Sequence, residues 1–102
     1  MTSEVLTFRG ALIREQGITF AVVEVEPDVL ARGDKAIKAE RSRYQPVFKD
    51  VPIILAARGP DRRAHYAGRP DVVRYLLSCE WQRIPWRKYK AKKKDPNPFR
   101  EW

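Results

Sequence analysis

Four arginines gather around one turn of the sequence and the start of the helix that follows it. They are Arg58, Arg62, Arg63 and Arg69. Arg69 directly precedes Pro70, the first residue of a predicted helix, where free amides and the helix dipole favour an anion. The sequence therefore predicts that these arginines receive a phosphate or a carboxylate. The alternative is that Arg69 pairs with Asp71 or with a strand carboxylate and only fixes the turn.

The C-terminal residues mix positive charges with aromatic rings. Residues 87–102 hold seven positive and two negative side chains, so they supply a net charge of +5 out of +8 for the whole chain. Lysines neutralise phosphates, and exposed aromatic rings stack on bases or fill a groove of a protein partner. We predict contacts with nucleic acid or with a larger protein assembly; a tail without a partner is the alternative. The predicted contact residues are Arg87, Lys88, Lys90, Lys92, Lys93, Lys94, Phe99 and Trp102.

Three carboxylates follow one another at the end of a predicted strand, namely Glu24, Glu26 and Asp28. Glu24 and Glu26 share a strand face, and two carboxylates can hold Mg²⁺ for nuclease chemistry. No lysine stands at a motif spacing from them. A solvated strand end is therefore the favoured interpretation, with a small metal-dependent nuclease as an alternative.

His65 and Cys79 are the only histidine and the only cysteine. One residue of each kind cannot build a structural zinc site, and no serine or cysteine stands in a nucleophile-elbow pattern. The sequence also lacks a glycine-rich phosphate loop. We therefore predict no metal, no cofactor and a binding module rather than an enzyme.

Composition fits one small folded domain. The 102 residues are 43% hydrophobic and 11% aromatic, which is ordinary for a globular protein. The net charge of +8 is high for this length and indicates an anionic partner, although charge also serves solubility alone. A single cysteine, no visible signal peptide and no apolar run of about 20 residues predict a cytoplasmic protein without a membrane span.

Two strands joined by a hairpin are predicted at the N-terminus. Residues 5–14 hold six apolar side chains and alternate loosely over residues 5–10, and residues 18–25 are rich in β-branched and aromatic types. Gly17 suits the intervening turn. The alternative is a short helix over residues 11–16. The continuously apolar residues 20–23 predict a strand covered on both faces.

The remaining pattern predicts helix, strand, strand, helix. Asp34 is a plausible N-cap for a surface helix over residues 35–44. Residues 51–57 form an apolar run, of which residues 53–57 are predicted to pair antiparallel with residues 64–67. Pro70 opens the closing helix. After it, Trp81 and an apolar segment ending at Trp86 are expected to cover the core.

Two stretches resemble the second half of the thioredoxin fold: VPIIL at residues 51–55 and YAGRP at residues 66–70. That family's Cys-x-x-Cys pair is absent here, so the resemblance implies a redox-silent, peptide-binding relative. It further implies a parallel pairing of Val22 with Ile53 and a cis bond before Pro52.

Three other stretches are similar to those of small bacterial proteins of unknown function: EQGITFAV at residues 15–22, YAGRPDVV at 66–73 and IPWRKY at 84–89. This resemblance implies a compact domain over about residues 10–89 and carries no activity with it. The lysine-rich end then reads as an extension of this chain.

The sequence as a whole predicts a single α+β or mixed α/β domain over residues 1–89. It contains one four-stranded sheet with helices packed on it, in the order strand, strand, helix, strand, strand, helix. A basic tail occupies residues 90–102. The predicted function is non-enzymatic docking on nucleic acid or a protein assembly through the tail and the arginine-lined turn, with the oligomeric state left open.

Overall fold

A five-stranded mixed sheet with helices on both faces forms an α+β domain. The computed structural model of the chain describes residues 5–15 and 17–92. The sheet order is β4-β3-β2-β1-β5. The elements are β1 (Val5–Glu15), β2 (Ile18–Glu24), α1 (Pro27–Ala31), α2 (Asp34–Tyr44), β3 (Ile53–Arg58), β4 (Ala64–Ala67), α3 (Pro70–Leu77), a 3₁₀ turn (Trp81–Arg83) and β5 (Arg87–Lys92). No helix within the described ranges is long and apolar enough to cross a membrane.

Strands β1 and β2 form the predicted hairpin, with Glu15 opposite Ile18. Gly17 in the turn has a φ of +77°, which a glycine adopts without strain from a Cβ atom. Because β1 continues unbroken to Glu15, the alternative of a short helix over residues 11–16 is wrong.

Strands β2 and β3 run parallel and are joined by α1 and α2. The predicted parallel direction is confirmed, but the predicted pairing of Val22 with Ile53 is wrong by one residue, because Ala21 lies opposite Ile53 and Val22 opposite Ile54. The peptide bond before Pro52 is trans, which contradicts the cis bond implied by the thioredoxin resemblance. Pro52 lies just before β3, and its carbonyl accepts a hydrogen bond from the Ala21 amide at 2.9 Å.

Strand β5 is the element that the predicted four-stranded sheet lacked. It pairs antiparallel with β1, from Gly10 opposite Arg87 to Val5 opposite Lys92. The sequence predicts that residues 90–92 belong to the tail, but their backbone pairs with β1 and they are part of the sheet. Lys93, Lys94, Phe99 and Trp102 lie outside the described residues.

The central strands β2 and β3 are buried on both faces, which explains their continuous apolar runs. Residues 20–23 and 53–57 are all buried, as predicted for residues 20–23. One face, which we call the α3 face, packs against Val72, Leu76 and Trp81. The other, the α2 face, packs against Tyr44 and Phe48.

The helix starts follow local sequence signals. Pro70 is the first residue of α3 and Asp71 lies in its first turn, as predicted. Helix α2 begins at Asp34, so the residue at its N-cap is Gly33 and the predicted N-cap role of Asp34 is wrong. Gly33 has a φ of +98° and provides no side-chain cap.

Candidate nucleic-acid interface

Two tryptophans and two arginines form a continuous stack on the α3 face. The Trp81 and Trp86 ring centroids are 4.8 Å apart, and the Trp86 Nε1–H donates to the Trp81 carbonyl at 3.0 Å. The Cζ atom of Arg58 lies 5.2 Å from the Trp81 ring centroid, and that of Arg9 lies 5.3 Å from the Trp86 ring centroid. We call Arg58, Trp81, Trp86 and Arg9 the arginine–tryptophan stack.

The stack is held in place by the core beneath it. Trp81 lies in the 3₁₀ turn after α3 and is only 8% exposed, and Ile84 is 5% exposed. Trp86 is half-buried and packs against the same cluster. The expectation that both rings cover the core is therefore confirmed. Their outer sides, in addition, carry the guanidinium groups of two exposed arginines.

Two lysines of β5 extend the positive charge of the stack. Lys88 lies opposite Arg9 and Lys90 opposite Thr7. Because Tyr89 belongs to the α2-side core, alternation along the strand directs Lys88 and Lys90 to the α3 face. Arg9, Lys88 and Lys90 are all exposed. We call these three residues the basic strip.

Strand spacing sets the width of the surface. Arg58 on β3 and Lys88 on β5 are separated by β2 and β1, so their strands lie roughly 14 Å apart at about 4.8 Å per strand. The strip and the stack thus share one side of the sheet, with Arg9 common to both.

Glu24 brings one negative charge to the stack and the strip. Its Oε1 atom lies 3.2 Å from Arg9 Nη1, and its side chain is 29% exposed. Four cations and one carboxylate leave the surface with a formal charge of +3. Glu24 therefore helps to position Arg9 without neutralising the surface.

The three predicted acidic residues do not form a metal site. Glu24 is paired with Arg9, and Asp28 is paired with Arg32 at 2.8 Å. Across residues 5–15 and 17–92, no three His, Cys, Asp or Glu side chains come close enough together to hold a metal ion. The geometry therefore gives the nuclease interpretation no support.

The predicted arginine site is divided between the two ends of the β3–β4 hairpin. Arg58 lies opposite Ala64 at the turn, whereas Ala67 lies opposite Leu55 at the far end, and Arg69 follows Ala67. Arg69 Nε lies 2.8 Å from Asp71 Oδ1, so the predicted alternative pairing with Asp71 is confirmed.

Arg62 and Arg63 stay in the turn beside Arg58. Arg62 has a φ of +65°, and both residues are exposed. The Arg63 amide donates to Asp61 Oδ1 at 3.1 Å, while its Nε lies 4.0 Å from Asp61 Oδ2. Of the four arginines predicted to form the anion site, Arg58 alone belongs to the arginine–tryptophan stack.

Four of the predicted C-terminal contact residues lie on β5. Arg87 is exposed on that strand, Lys88 and Lys90 lie on the basic strip, and Lys92 ends the strand. Tyr89 anchors the strand through Phe8 and Phe48, whose ring centroids lie 5.7 Å and 4.9 Å away.

Arg9 is the functional candidate that sequence reasoning missed. It stands alone between Phe8 and Gly10 in a strand, and nothing local marks it. Its contact, Trp86, lies near the other end of the chain and reaches it only through the pairing of β1 with β5. No short-range pattern predicts such a contact.

A cavity of about 470 Å³ lies at the C-terminal end of β2. The Tyr44 hydroxyl donates to Glu40 Oε2 at 3.0 Å, and Arg43 Nη1 lies 3.7 Å from Glu40 Oε1. Burial, followed by the negative charge of Glu40, raises the pKa of Tyr44 to about 12. Of the charged residues that line this cavity, Glu40 and Arg43 pair with each other and Glu24 pairs with Arg9, which indicates that these side chains stabilise the fold.

The raised pKa of Tyr44 predicts a loss of stability at alkaline pH. An unfolded tyrosine ionises near pH 10, so the folded state holds the Tyr44 proton more tightly. This contribution is full below pH 10 and is lost as the pH rises towards about 12. Urea unfolding between pH 9 and about pH 12 should show a shallower decline for Tyr44→Phe than for the wild type. An identical decline would contradict the assignment.

No protein-family model, curated protein or solved structure matches the chain. The resemblances to thioredoxin and to small bacterial proteins therefore gain no support from these comparisons. Function must be inferred from the geometry and charge of the surface itself.

Proposed function

We propose that the protein is a non-enzymatic module that binds nucleic acid through its phosphate backbone. The observation that carries this proposal is the exposed basic strip beside the arginine–tryptophan stack. Arg9, Lys88 and Lys90 are exposed on two neighbouring strands, and Arg58 stands at the other end of the stack.

The stack supports phosphate binding through preorganisation. A guanidinium group held against an indole ring loses less side-chain freedom when it binds an anion. Its planar donors then remain available to phosphate oxygens. Lys88 and Lys90 add point charges that neutralise phosphates and release counterions.

Binding of this kind is tolerant of sequence and sensitive to salt. The strip offers positive charges but no amide side chain that reads base edges. Four phosphate contacts on a single strand predict a slope of about −3 for the logarithm of affinity against the logarithm of salt concentration. Residues 93–102 follow β5 in the sequence and hold three cations, Lys93, Lys94 and Arg100, together with two carboxylates, Asp95 and Glu101.

The other functions considered have weaker support. A thioredoxin-like peptide site depends on a cis bond before Pro52, and that bond is trans. A nuclease site requires carboxylates free to bind a cation, whereas Glu24 and Asp28 are each paired with an arginine. Docking on a protein assembly stays as an outcome that the binding experiment can reveal.

The test is fluorescence anisotropy of a labelled 20-nucleotide single strand between 50 and 300 mM salt. The intact chain is compared with a variant that ends at Lys92, which leaves β5 complete. We expect both to bind, with the truncated chain severalfold weaker because it lacks three cations and two carboxylates, a net loss of one positive charge. No binding at 50 mM salt, or a slope near zero, would contradict the proposal.

Affinity capture from cells separates nucleic acid from a protein partner. The intact protein is recovered with and without nuclease treatment, at low and at moderate salt. Loss of the partner with nuclease supports the proposal. A protein partner that survives both treatments would instead point to docking on an assembly and overturn it.

The substitution Arg9→Lys tests whether stacking on Trp86 contributes to affinity when the positive charge is kept. The lysine keeps the positive charge but loses the planar stacking on Trp86, so we expect affinity to fall by about three- to tenfold with an unchanged salt slope. Arg14→Lys is the matched control, because Arg14 is an exposed arginine on the same strand. Equal effects of the two substitutions would show that the stack has no special role.

A further inference from the structure

A second positively charged site lies at the opposite end of the sheet, on the α2 face. It is a groove of about 260 Å³ between α2, the start of β3 and the residue that precedes α3. We call it the α2 groove. Its lining residues are Lys38, Arg41, Ser42, Gln45, Pro52, Ile53 and Arg69.

Helix periodicity and one loop build the α2-side wall of the groove. Lys38, Arg41, Ser42 and Gln45 are spaced i, i+3, i+4 and i+7. This spacing places them on one side of the C-terminal half of α2 and of the residue that follows it. The Gln45 side-chain amide donates to the carbonyls of Phe48 and Val51, at 2.8 Å and 3.2 Å. These bonds fix the loop that leads to Pro52.

The opposite wall depends on Gly68. A Cβ atom at this position would lie 2.5 Å from Ile54 Cδ1 and 3.2 Å from the Ile53 carbonyl oxygen. The chain therefore passes directly against β3 at this point. That close approach brings Arg69 to the groove beside Ile53.

The charges of the groove are not balanced. Neither Lys38 nor Arg41 forms an ion pair with any residue that the structure describes, whereas Arg43 of the same helix pairs with Glu40. Arg69 contacts Asp71 through Nε alone. Three cations facing one carboxylate leave a formal charge of +2, and an anion in the groove would relieve the repulsion between them.

We propose that the α2 groove binds a phosphate group, either free phosphate or that of a small phosphomonoester. Lys38 and Arg41 approach from α2 and Arg69 from the other side, so cations surround the phosphate from two elements. The volume suits a phosphate with a small substituent, because drug-sized ligands occupy about 300–1,000 Å³. The site shares no residue with the basic strip and does not depend on nucleic-acid binding.

Calorimetry with inorganic phosphate and with phosphoserine tests the proposal, using chloride at matched ionic strength as the baseline. We expect saturable binding to the full chain and at least about a tenfold loss of affinity in Arg41→Gln. Lys35→Gln, on the same helix but outside the groove, removes the same charge and should change affinity less than about twofold.

The two probes distinguish the sources of the phosphate. Equal affinities identify the phosphate group alone as the ligand, and tighter binding of phosphoserine identifies a monoester. Absence of saturable binding to either probe, or an equal loss in Arg41→Gln and Lys35→Gln, would overturn the proposal. Circular dichroism of both variants confirms that they fold.

Discussion

Replacing Lys88 and Lys90 together by glutamate is expected to lower the affinity for a 20-nucleotide single strand by roughly 100-fold at 50 mM salt. Each change removes a cation that neutralises a phosphate and adds a charge that repels it. Both side chains are exposed on the edge strand β5, so the free energy of unfolding should change by less than about 1 kcal/mol.

A matched double variant separates the basic strip from net charge. Lys35 and Lys49 are exposed lysines outside the strip, and reversing both produces the same change in total charge. We expect this control to lose less than about fivefold in affinity, because Lys35 belongs to α2 and Lys49 follows the α2-side core residue Phe48, so neither lies on the sheet face that carries the strip. Equal losses in the two double variants would mean that binding follows total charge and that the strip is not the interface.

The central strands were predictable because burial on both faces leaves a strong local pattern. Residues 20–23 and 53–57 are apolar without interruption, and the hairpin turns and Pro70 mark where neighbouring elements begin. Strand β5 carries no such pattern. Its sequence is RKYKAK, in which Tyr89 supplies the one aromatic anchor, and its partner β1 lies at the far end of the chain. An edge strand of this composition reads as a tail from local sequence alone.

The separation of Arg58 from Arg69 follows from the hairpin that the sequence predicts. Arg58 and Arg69 are close in sequence, but a hairpin returns the chain to the end from which it started. A residue after the second strand therefore lies far from the turn. The predicted hairpin alone implied that Arg69 belongs with the start of β3. What local sequence could not supply was its neighbours there, Lys38 and Arg41, which a separate helix brings to the groove.

Gly68→Ala is expected to lower the free energy of unfolding by about 2–4 kcal/mol. Two causes combine. The φ of +155° is rarely adopted by a residue with a Cβ atom, and that atom would lie 2.5 Å from Ile54 Cδ1 in a fully buried part of the core. Urea unfolding followed by tryptophan fluorescence measures the change.

Gly17→Ala isolates the backbone cause. Gly17 has a φ of +77°, but an added Cβ would meet no atom within 4 Å. Its substitution should therefore cost only about 1–2 kcal/mol. If Gly68→Ala costs no more than this, the close approach to β3 does not constrain the chain.

Ile54→Val isolates the steric cause, because valine lacks the Cδ1 atom that the new methyl group would meet. Alone, this change should cost about 0.5–1.5 kcal/mol. In the Gly68→Ala background it should cost less or restore stability, so the double-mutant cycle should give a favourable coupling of about 1 kcal/mol. Simple additivity would show that strain at Gly68 does not arise from Ile54. A favourable coupling would tie the position of Arg69, and with it the α2 groove, to the packing of the sheet beneath it.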